Sequence, residues 1–341
     1  MSNQTIEIKG IVTALSPVCH SEILPQCEEK SAGSDYLMFR RYPFILKDAD
    51  GQPTTQDVYT VSGNSMRGIG RQLLYQHTFE DVLDIDFTKI LPDVKPIDRH
   101  YLVSLFAVGG VTPKNSKQVG FVSTDTYDKV LECLPTLDLL GGVLITHHFN
   151  SSASIGNLFL RTKETEQLFA IDHHIFQPAT ETLPSLVEIV SQDVRHTRTE
   201  SAKAASTKPP VEETKDAESL KTKMIYGANV LPAGSSFYWR SFCHTQREGT
   251  ALAFNAMIAL LTKHGSIGGQ GGKGYGRVTY AIPSFDANEA VKAYDKYLLE
   301  HKDEFLGGIR LLASEFRYTI KEKKDEGEDK NKEKKTAKRK K

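Results

Sequence analysis

Seven glycines within the twelve residues Gly265 to Gly276, in the run GSIGGQGGKGYGRV, constrain this chain more than any other feature. Glycine permits positive φ and lets the backbone approach another molecule closely. No packed core needs so many residues without side chains. Lys273 and Arg277 are the only cations of the run, and such a loop is suited to holding phosphates on its backbone N–H groups. The flanking patterns decide whose phosphates these are. Residues 249–264 place apolar Leu252, Ala256, Ala259 and Leu260 at helical spacing, and residues 275–282 read as a strand. A P-loop needs glycine where Ile267 stands and Ser or Thr where Gly274 stands. Gly269, Gly271 and Gly274 satisfy G-x-G-x-x-G, but a dinucleotide fingerprint follows a strand and opens a helix, the reverse of the order here. A kinase glycine loop opens its domain, and only 63 residues follow Val278. A helix C-cap at Gly265 accounts for one or two of the glycines, not seven.

The chain has 341 residues, enough for one large domain or two ordinary ones. Its 43 basic and 43 acidic residues balance, but residues 321–341 hold eleven Lys/Arg against six Asp/Glu. The first 320 residues are therefore mildly acidic, and any nucleic-acid surface on them must be a local patch. The tail has no apolar residue except Ala337 and is expected to be disordered. Its last ten residues, KEKKTAKRKK, either touch a polyanion or solubilise the chain. Cys19, Cys27, Cys133 and Cys243 have no C-x-x-C spacing, which excludes a zinc ribbon or a thioredoxin motif and fits reduced thiols in a cytosol. The polar N-terminus MSNQTIEIKG is no signal peptide, and no apolar run approaches the roughly 20 residues of a membrane helix. A cytoplasmic location, with no membrane partner, no metal and no cofactor, is the expectation.

Along the chain, Thr5 to Leu15 alternates as a strand, and Ser16 to Ser34 is a polar loop. Asp35 to Leu46 reads as an extended hairpin arm ahead of the turn signal Asp48-Ala-Asp-Gly51. Val58 to Ser62 is a short strand leading into a helix that runs to about Asp81. Leu102 to Val108 and Gly120 to Thr124 read as strands, and Tyr127 to Leu134 as a turn or two of helix. Residues 191–222, rich in Ser, Thr, Lys and Glu, read as a long mobile loop inside an insertion. Ser235 to Cys243 is a strand. Asp286-Ala-Asn-Glu289 is a capping box opening a terminal helix towards Phe316, with a break expected at Gly307-Gly308. The order is close to β-α-β…β-α-β, a ferredoxin-like α+β sheet that also carries RNA recognition motifs. The aromatic pattern of a base-stacking RNA recognition motif is missing.

Several cations and polar groups have two readings. Ser62-Gly-Asn-Ser65 precedes a helix, so its N–H groups favour an anion, or Asn64 or Ser65 caps the helix. Arg67 and Arg71, four residues apart, share a helical face suited to phosphate, or pair with acids of a neighbouring helix. Arg40 and Arg41 point opposite ways on an extended strand, so at most one faces a given ligand. Tyr275 stacks on a base or packs beneath its loop. Trp239, the sole tryptophan, suits core or interface packing. His147-His148 and His173-His174 lack the further ligands that a metal site needs.

Taken in order, these phrases resemble the RAMP superfamily, and within it the backbone subunit of CRISPR effector complexes, the CRISPR-associated protein seven family. The resemblance covers most of the chain. It rests on Ile6 to Leu15 followed by Ser-Pro-Val-Cys-His20, and on Val61-Ser-Gly-Asn-Ser-Met-Arg-Gly-Ile-Gly-Arg71. It continues with Leu105-Phe-Ala-Val-Gly109, Phe169-Ala-Ile-Asp172, Asn229 to Phe237 and the loop Gly268 to Val278, with features of type IV and type III members. The resemblance implies an RRM-like palm with an extended finger region and an inserted thumb. Residues 1–149 and 225–320 would form the palm with its finger hairpins, 150–224 the thumb, and 321–341 the tail. It implies copies assembled head to tail along a guide RNA, with complementary target nucleic acid and other CRISPR effector subunits as partners. The RNA contacts it implies are His20, Arg40, Arg41, Asn64, Ser65, Arg67, Arg71, Gly271, Gly272, Lys273, Gly274, Tyr275 and Arg277. Asp35 corresponds to a loop aspartate that supports target-RNA cleavage in type III members, but the glycine-rich lead-in is absent, and a turn role is the alternative. A guide-processing endoribonuclease, with His20 as its base, is a third reading.

Overall fold

In the computed structural model, the described residues are 4–21, 35–37, 39–47, 50–172, 183–186, 189, 191–196 and 225–320. The chain begins with strands β1 (Gln4–Ala14), β2 (Asp35–Leu37), β3 (Arg41–Lys47) and β4 (Pro53–Val61), then helix α1 (Gly63–Tyr75). A π-helical stretch (Gln76–Val82) precedes α2 (Phe87–Ile90), α3 (Pro96–Val108), β5 (Gly110–Val111) and β6 (Ser116–Gln118). Then come α4 (Thr124–Cys133), α5 (Pro135–Leu140), β7 (Gly142–Leu144), β8 (His147–Phe149) and β9 (Ala153–Leu160). A 3-10 turn (Glu166–Asp172) leads to β10 (Ser191–His196), β11 (Ile225–Val230), β12 (Ser236–Thr245) and α6 (Glu248–His264). The chain closes with β13 (Val278–Ala281), α7 (Ala287–Glu300), α8 (Lys302–Glu315) and β14 (Tyr318–Ile320). This is a mixed α+β architecture with largely antiparallel sheets and, among the described residues, eight α-helices. It packs as two compact units.

The first unit, Met1–Leu73 with Ala153–Gln246 and Phe254–Ala293, is built on a six-stranded sheet of order β13-β1-β12-β9-β4-β3. Both β12 and β13 are antiparallel to β1, which lies between them, so β12, α6 and β13 form a split β-α-β crossover. The alternation of β1 and β12 explains the sheet. Val12, Phe237, Trp239, Ser241 and Cys243 all turn inwards and are buried. Trp239 is fully buried, and its indole N–H donates to Gly156 O at 3.2 Å. Small residues set close approaches. A Cβ on Gly70 of α1 would sit 3.0 Å from Met257 of α6, and one on Gly156 2.1 Å from Arg240 O, beside the bulge between Trp239 and Ser241. A second sheet of order β10-β11-β2 pairs β11 and β2 in parallel.

The second unit comprises Leu74–Ser152, Arg247–Ala253 and Tyr294–Lys341. Phe79 of the π-helical stretch is its hub, with ring centroids 5.0 Å from Tyr75, 4.7 Å from Phe106 and 5.3 Å from Phe305. Asp138 is buried in α5 and accepts from Arg247 at 2.8 Å and from the Thr250 hydroxyl at 2.7 Å, which compensates its burial.

Several sequence expectations change. Leu102 to Val108 is the end of α3, not a strand. Pro96 occupies the first turn, and Gly109 in the left-handed region caps the end. A continuous apolar run hides a helical period, which is why it reads as a strand. Residues 120–123 form no strand, and Thr124 opens α4 under the Ser123 cap, whose side chain accepts from Thr126 N. The terminal helix breaks at His301 between α7 and α8. Gly308 lies inside α8, where a Cβ would come within 2.6 Å of Cys133 Cβ, so this glycine allows close packing rather than a break. Residues 191–196 are a strand. The remainder of the expected mobile loop, 197–222, and the tail 321–341 lie outside the described residues. β9 belongs to the central sheet, and Leu74–Ser152 falls in the second unit.

Replacing Trp239 by Ala is expected to destabilise the first unit by about 3–5 kcal/mol. A lowered urea midpoint, followed by far-ultraviolet circular dichroism, checks this.

Candidate nucleic-acid interface

The candidate residues are scattered in sequence, but within the first unit one extended segment, residues 16–21, stitches most of them together. Pro17 O accepts from Gly276 N at 2.8 Å, and Cys19 O accepts from Gly269 N at 2.7 Å. Val18 exchanges two backbone bonds with Leu231, at 2.8 and 2.9 Å. His20 O accepts from Arg40 N at 2.9 Å, and His20 Nε2 accepts from Ser62 N at 3.0 Å. The glycine loop, the start of β3 and the start of α1 are thus all fixed to the same strand-like run.

The glycines of the loop divide into two groups. Gly265, Gly268, Gly274 and Gly276 have positive φ. A Cβ on Gly268 would lie 2.4 Å from Cys19 O, and one on Gly276 2.0 Å from Ile267 O. The fold needs these four. Gly271 and Gly272 are exposed, show no positive φ and have nothing within 4 Å of a built Cβ, and Gly269 has only Cys19 O at 3.8 Å. Nothing among the described residues requires glycine at these three positions. Lys273 and Arg277 are exposed on the same loop. Arg277 is fixed through its backbone, its N–H donating to Ser16 Oγ at 3.0 Å and its carbonyl accepting from Leu15 N at 2.7 Å.

The start of α1 is satisfied from within. Gly63 N donates to Asn157 Oδ1 at 2.7 Å, Asn64 N to Ser62 Oγ at 3.2 Å, and Ser65 N to Ser62 O at 3.0 Å. Ser62, rather than Asn64 or Ser65, is therefore the cap, and these N–H groups are already engaged. What α1 offers a ligand is side chains: exposed Asn64, half-exposed Ser65, and the pair Arg67 and Arg71. Burial lowers the Arg67 pKa, while burial and then the Arg67 charge push Arg71 down to about 10. Both remain cationic at neutral pH.

His20 and Tyr275 both have internal partners. The His20 ring is an acceptor for Ser62 N–H and lies edge-on to Phe39, so it positions α1 rather than reaching outwards. Burial, then the Arg40 charge, lowers its pKa from 6.5 to about 4, and the neutral form is the one that can accept. Tyr275 is buried against Cys19 and Val230, which realises the packing alternative. On β3, the Arg40 guanidinium lies over the Tyr42 ring, 5.1 Å from its centroid, and Arg41 pairs with Asp57 at 3.4 Å. The backbone of Asp35 pairs in register with Tyr226, and its side chain lies outside the described residues. His147 is buried with Nε2 at 3.1 Å from Arg317 O, and His148 is exposed. His173 and His174 lie outside the described residues, and no group of three metal-ligating side chains occurs among the described ones. Cys19 and Cys243 are buried, Cys133 is half-buried, and Cys27 lies outside the described residues. No helix among the described residues is long and apolar enough to cross a membrane.

One cluster was not anticipated from the sequence. Asp172, at the end of the 3-10 turn, is buried and accepts from Lys9 Nζ at 2.6 Å and from the Tyr238 hydroxyl. Glu7 joins it by bonding Lys9 at 3.4 Å and the Arg240 guanidinium. Burial alone would raise the Asp172 pKa; the hydrogen bonds from Lys9 and Tyr238 outweigh it and hold the carboxyl below its usual range. The cluster fixes the turn to the sheet next to residue 173. Its signal in the sequence is the alternation Glu7, Lys9 on a strand whose other face is apolar.

No known family description matches the sequence, and no curated protein is similar to it. Among solved structures, a chain of a "Type IV-B CRISPR Complex" shares its fold. The TM-score is 0.50 at 16% identity, covering 82% of this chain and 91% of that one.

The His20 pKa carries a stability prediction. A folded-state value of about 4 against 6.5 means that the unfolded chain takes up the proton first, so stability is lost as pH falls from about 6.5 to about 4. His20→Gln is expected to flatten this part of the stability profile, measured as urea midpoints at neutral pH and at about pH 5.

Proposed function

We propose that the chain is a guide-RNA-binding backbone subunit of a CRISPR effector complex, with copies following one another head to tail along the RNA. The observation that carries this reading is the glycine loop. It is fixed to the 16–21 segment on its inner side, and nothing among the described residues requires glycine at 269, 271 and 272. Open backbone of this kind suits a sugar–phosphate chain lying directly on it. Lys273 and Arg277 supply charge to the phosphates, and Asn64, Ser65, Arg67 and Arg71 form a second group tied to the first through His20. Arg40, over Tyr42, adds a planar cation at the start of β3. A phosphate beside Arg67 and Arg71 would add a counter-charge to both. These groups read backbone and not bases, so sequence would be read by guide–target pairing.

The sheet order β13-β1-β12-β9 with its split β-α-β crossover supports an RRM-like palm. The hairpin of β3 and β4, in register from Arg41↔Tyr59 to Lys47↔Pro53, supports the finger, and residues 150–224 remain the proposed thumb. The fold shared with a chain of a Type IV-B CRISPR complex supports other effector subunits and a complementary target nucleic acid as partners. In this reading the loop holds RNA and hydrolyses no nucleotide.

Sequencing the RNA that copurifies with the protein tests the proposal. Uniform guide-length species are expected, while random fragments or no RNA would sink it. Lys273→Glu with Arg277→Glu is expected to reduce retention and to lower the slope of log affinity against log salt by about 1.4, about 0.7 per lost phosphate contact. Gly271→Val with Gly272→Val is expected to leave the urea midpoint unchanged while weakening RNA binding, because the side chains would occupy the space assigned to the RNA backbone. Unchanged binding in that variant would remove the loop from the interface.

A further inference from the structure

The first unit leaves a stretch of sheet edge open beside a cleft. β12 follows β1 from Gln4 to Thr13, whereas β13 covers only Ile11 to Ala14. The next bonded step of that register would set Lys9 against Pro283, which has no N–H to donate, and the ladder ends there. Ala14 N donates to Ser235 O on the β12 side, and Leu15 N donates to Arg277 O on the β13 side. Successive residues of a strand turn their backbone groups to opposite sides, so Thr5, Glu7 and Lys9 turn theirs to the open side. None of the three has a strand partner there among the described residues. A cleft of about 190 Å³, lined by Glu7, Ile8, Lys9, Ile282 and Pro283, adjoins the same edge.

We infer that this edge takes an added β-strand from a partner protein, an extended segment with an aliphatic side chain for the cleft. A row of outward N–H and C=O groups two residues apart is matched by another extended backbone. Ile6 and Ile8, half-buried on the face shared with Val12, call for apolar residues on one face of the added strand. Thr5, Glu7 and Lys9 call for polar ones on the other. Edges that must stay unpaired are commonly guarded by charged side chains. Here Lys9 Nζ is held by Asp172 at 2.6 Å, and Glu7 bonds Lys9 and the Arg240 guanidinium, so these charges are engaged on the sheet face. A second copy of the same edge is a poorer occupant. The antiparallel register that engages Thr5, Glu7 and Lys9 of both copies sets Glu7 against Glu7, and like charges directly opposite are destabilising. The inference does not rest on the glycine loop, which adjoins the other end of β1.

The probe is a capped peptide of alternating valine and threonine with a lysine at each end, titrated into the full isotope-labelled chain and followed through its amide resonances. Saturable binding is expected, with the amide signals of Thr5, Glu7 and Lys9 shifted and their hydrogen exchange slowed. Ile6 and Ile8, whose amides face β12, change little. Glu7→Pro removes an outward N–H and leaves the β12 side of the strand intact. It is expected to weaken binding at least about tenfold, whereas Glu7→Ala, which keeps the N–H, stays within about twofold of the parent. If Glu7→Pro has a lower urea midpoint than Glu7→Ala, Thr5→Pro, at the exposed outer end of the strand, carries the same test. Absence of saturable binding up to about 1 mM peptide, or a folded proline variant that binds within about twofold of the parent, overturns the inference. So does slowed exchange at Thr5, Glu7 and Lys9 that grows with the concentration of the chain alone, because a second copy then covers the edge. Lys273→Glu with Arg277→Glu is expected to leave peptide binding unchanged, so this inference and the proposed function can fail separately.

Discussion

An extended segment that runs between other elements must find partners for its backbone groups on both sides. In this chain that segment is residues 16–21, and the candidate interface depends on it. Cys19 O is committed to the glycine loop, Val18 to Leu231, and His20 O to Arg40. One side chain extends the pattern, since His20 Nε2 takes up the N–H of Ser62 at the entry to α1. The carbonyls of Pro17, Val18, Cys19 and His20 each accept one backbone N–H, and a change of partner would leave that donor unmatched, a cost of about 1–3 kcal/mol where it is buried. The loop, the β3 start and the α1 start are therefore fixed as a set, even though the loop begins at Gly265, far along the sequence from Arg41 and Gly63. Neutral His20 is part of that set, because an imidazolium has no lone pair to offer Ser62.

The same segment explains why the loop has so many glycines and why they are of two kinds. Gly268 and Gly276 lie where the loop crosses close to Cys19 O and Ile267 O, and side chains there would collide with backbone. Those positions belong to folding. Gly271 and Gly272 lie at the outer tip, where a side chain would meet only open space. Glycine costs roughly 0.5–1 kcal/mol more conformational entropy than alanine when ordered, so an ordered tip built from it loses stability with no internal return.

The regular patterns were legible in the sequence. The alternation of β1 and β12, the apolar spacing of α6 and the Asp286 cap all lie where local chemistry points, with Asp286 accepting from Asn288 N and Glu289 N at 2.8 and 3.0 Å. The strand reading of Leu102 to Val108 failed because its seven residues are almost all apolar, so neither period stands out, and Pro96 six residues earlier carried the missed signal. Gly307-Gly308 read as a break because a glycine's tertiary neighbour, here Cys133, leaves no trace in its own sequence. The interface was legible as a set of residue types but not as a set of roles. His20 and Tyr275 carry groups that nucleic acids attract, yet one is an internal acceptor and the other is buried. Composition shows what a side chain can do, while only the long-range pairing of residues 16–21 shows which of its atoms remain available.

Charge follows the same logic. The chain has no net charge, and its first 320 residues are slightly acidic, so no broad positive field draws a polyanion in. In the proposed reading, affinity comes from short-range contacts at sites that are already organised. Arg67 and Arg71 share one face of α1, burial lowers the pKa of both, and Arg71, at about 10, stays protonated at neutral pH. A phosphate there would add counter-charge at close range, where no long-range field exists to supply it.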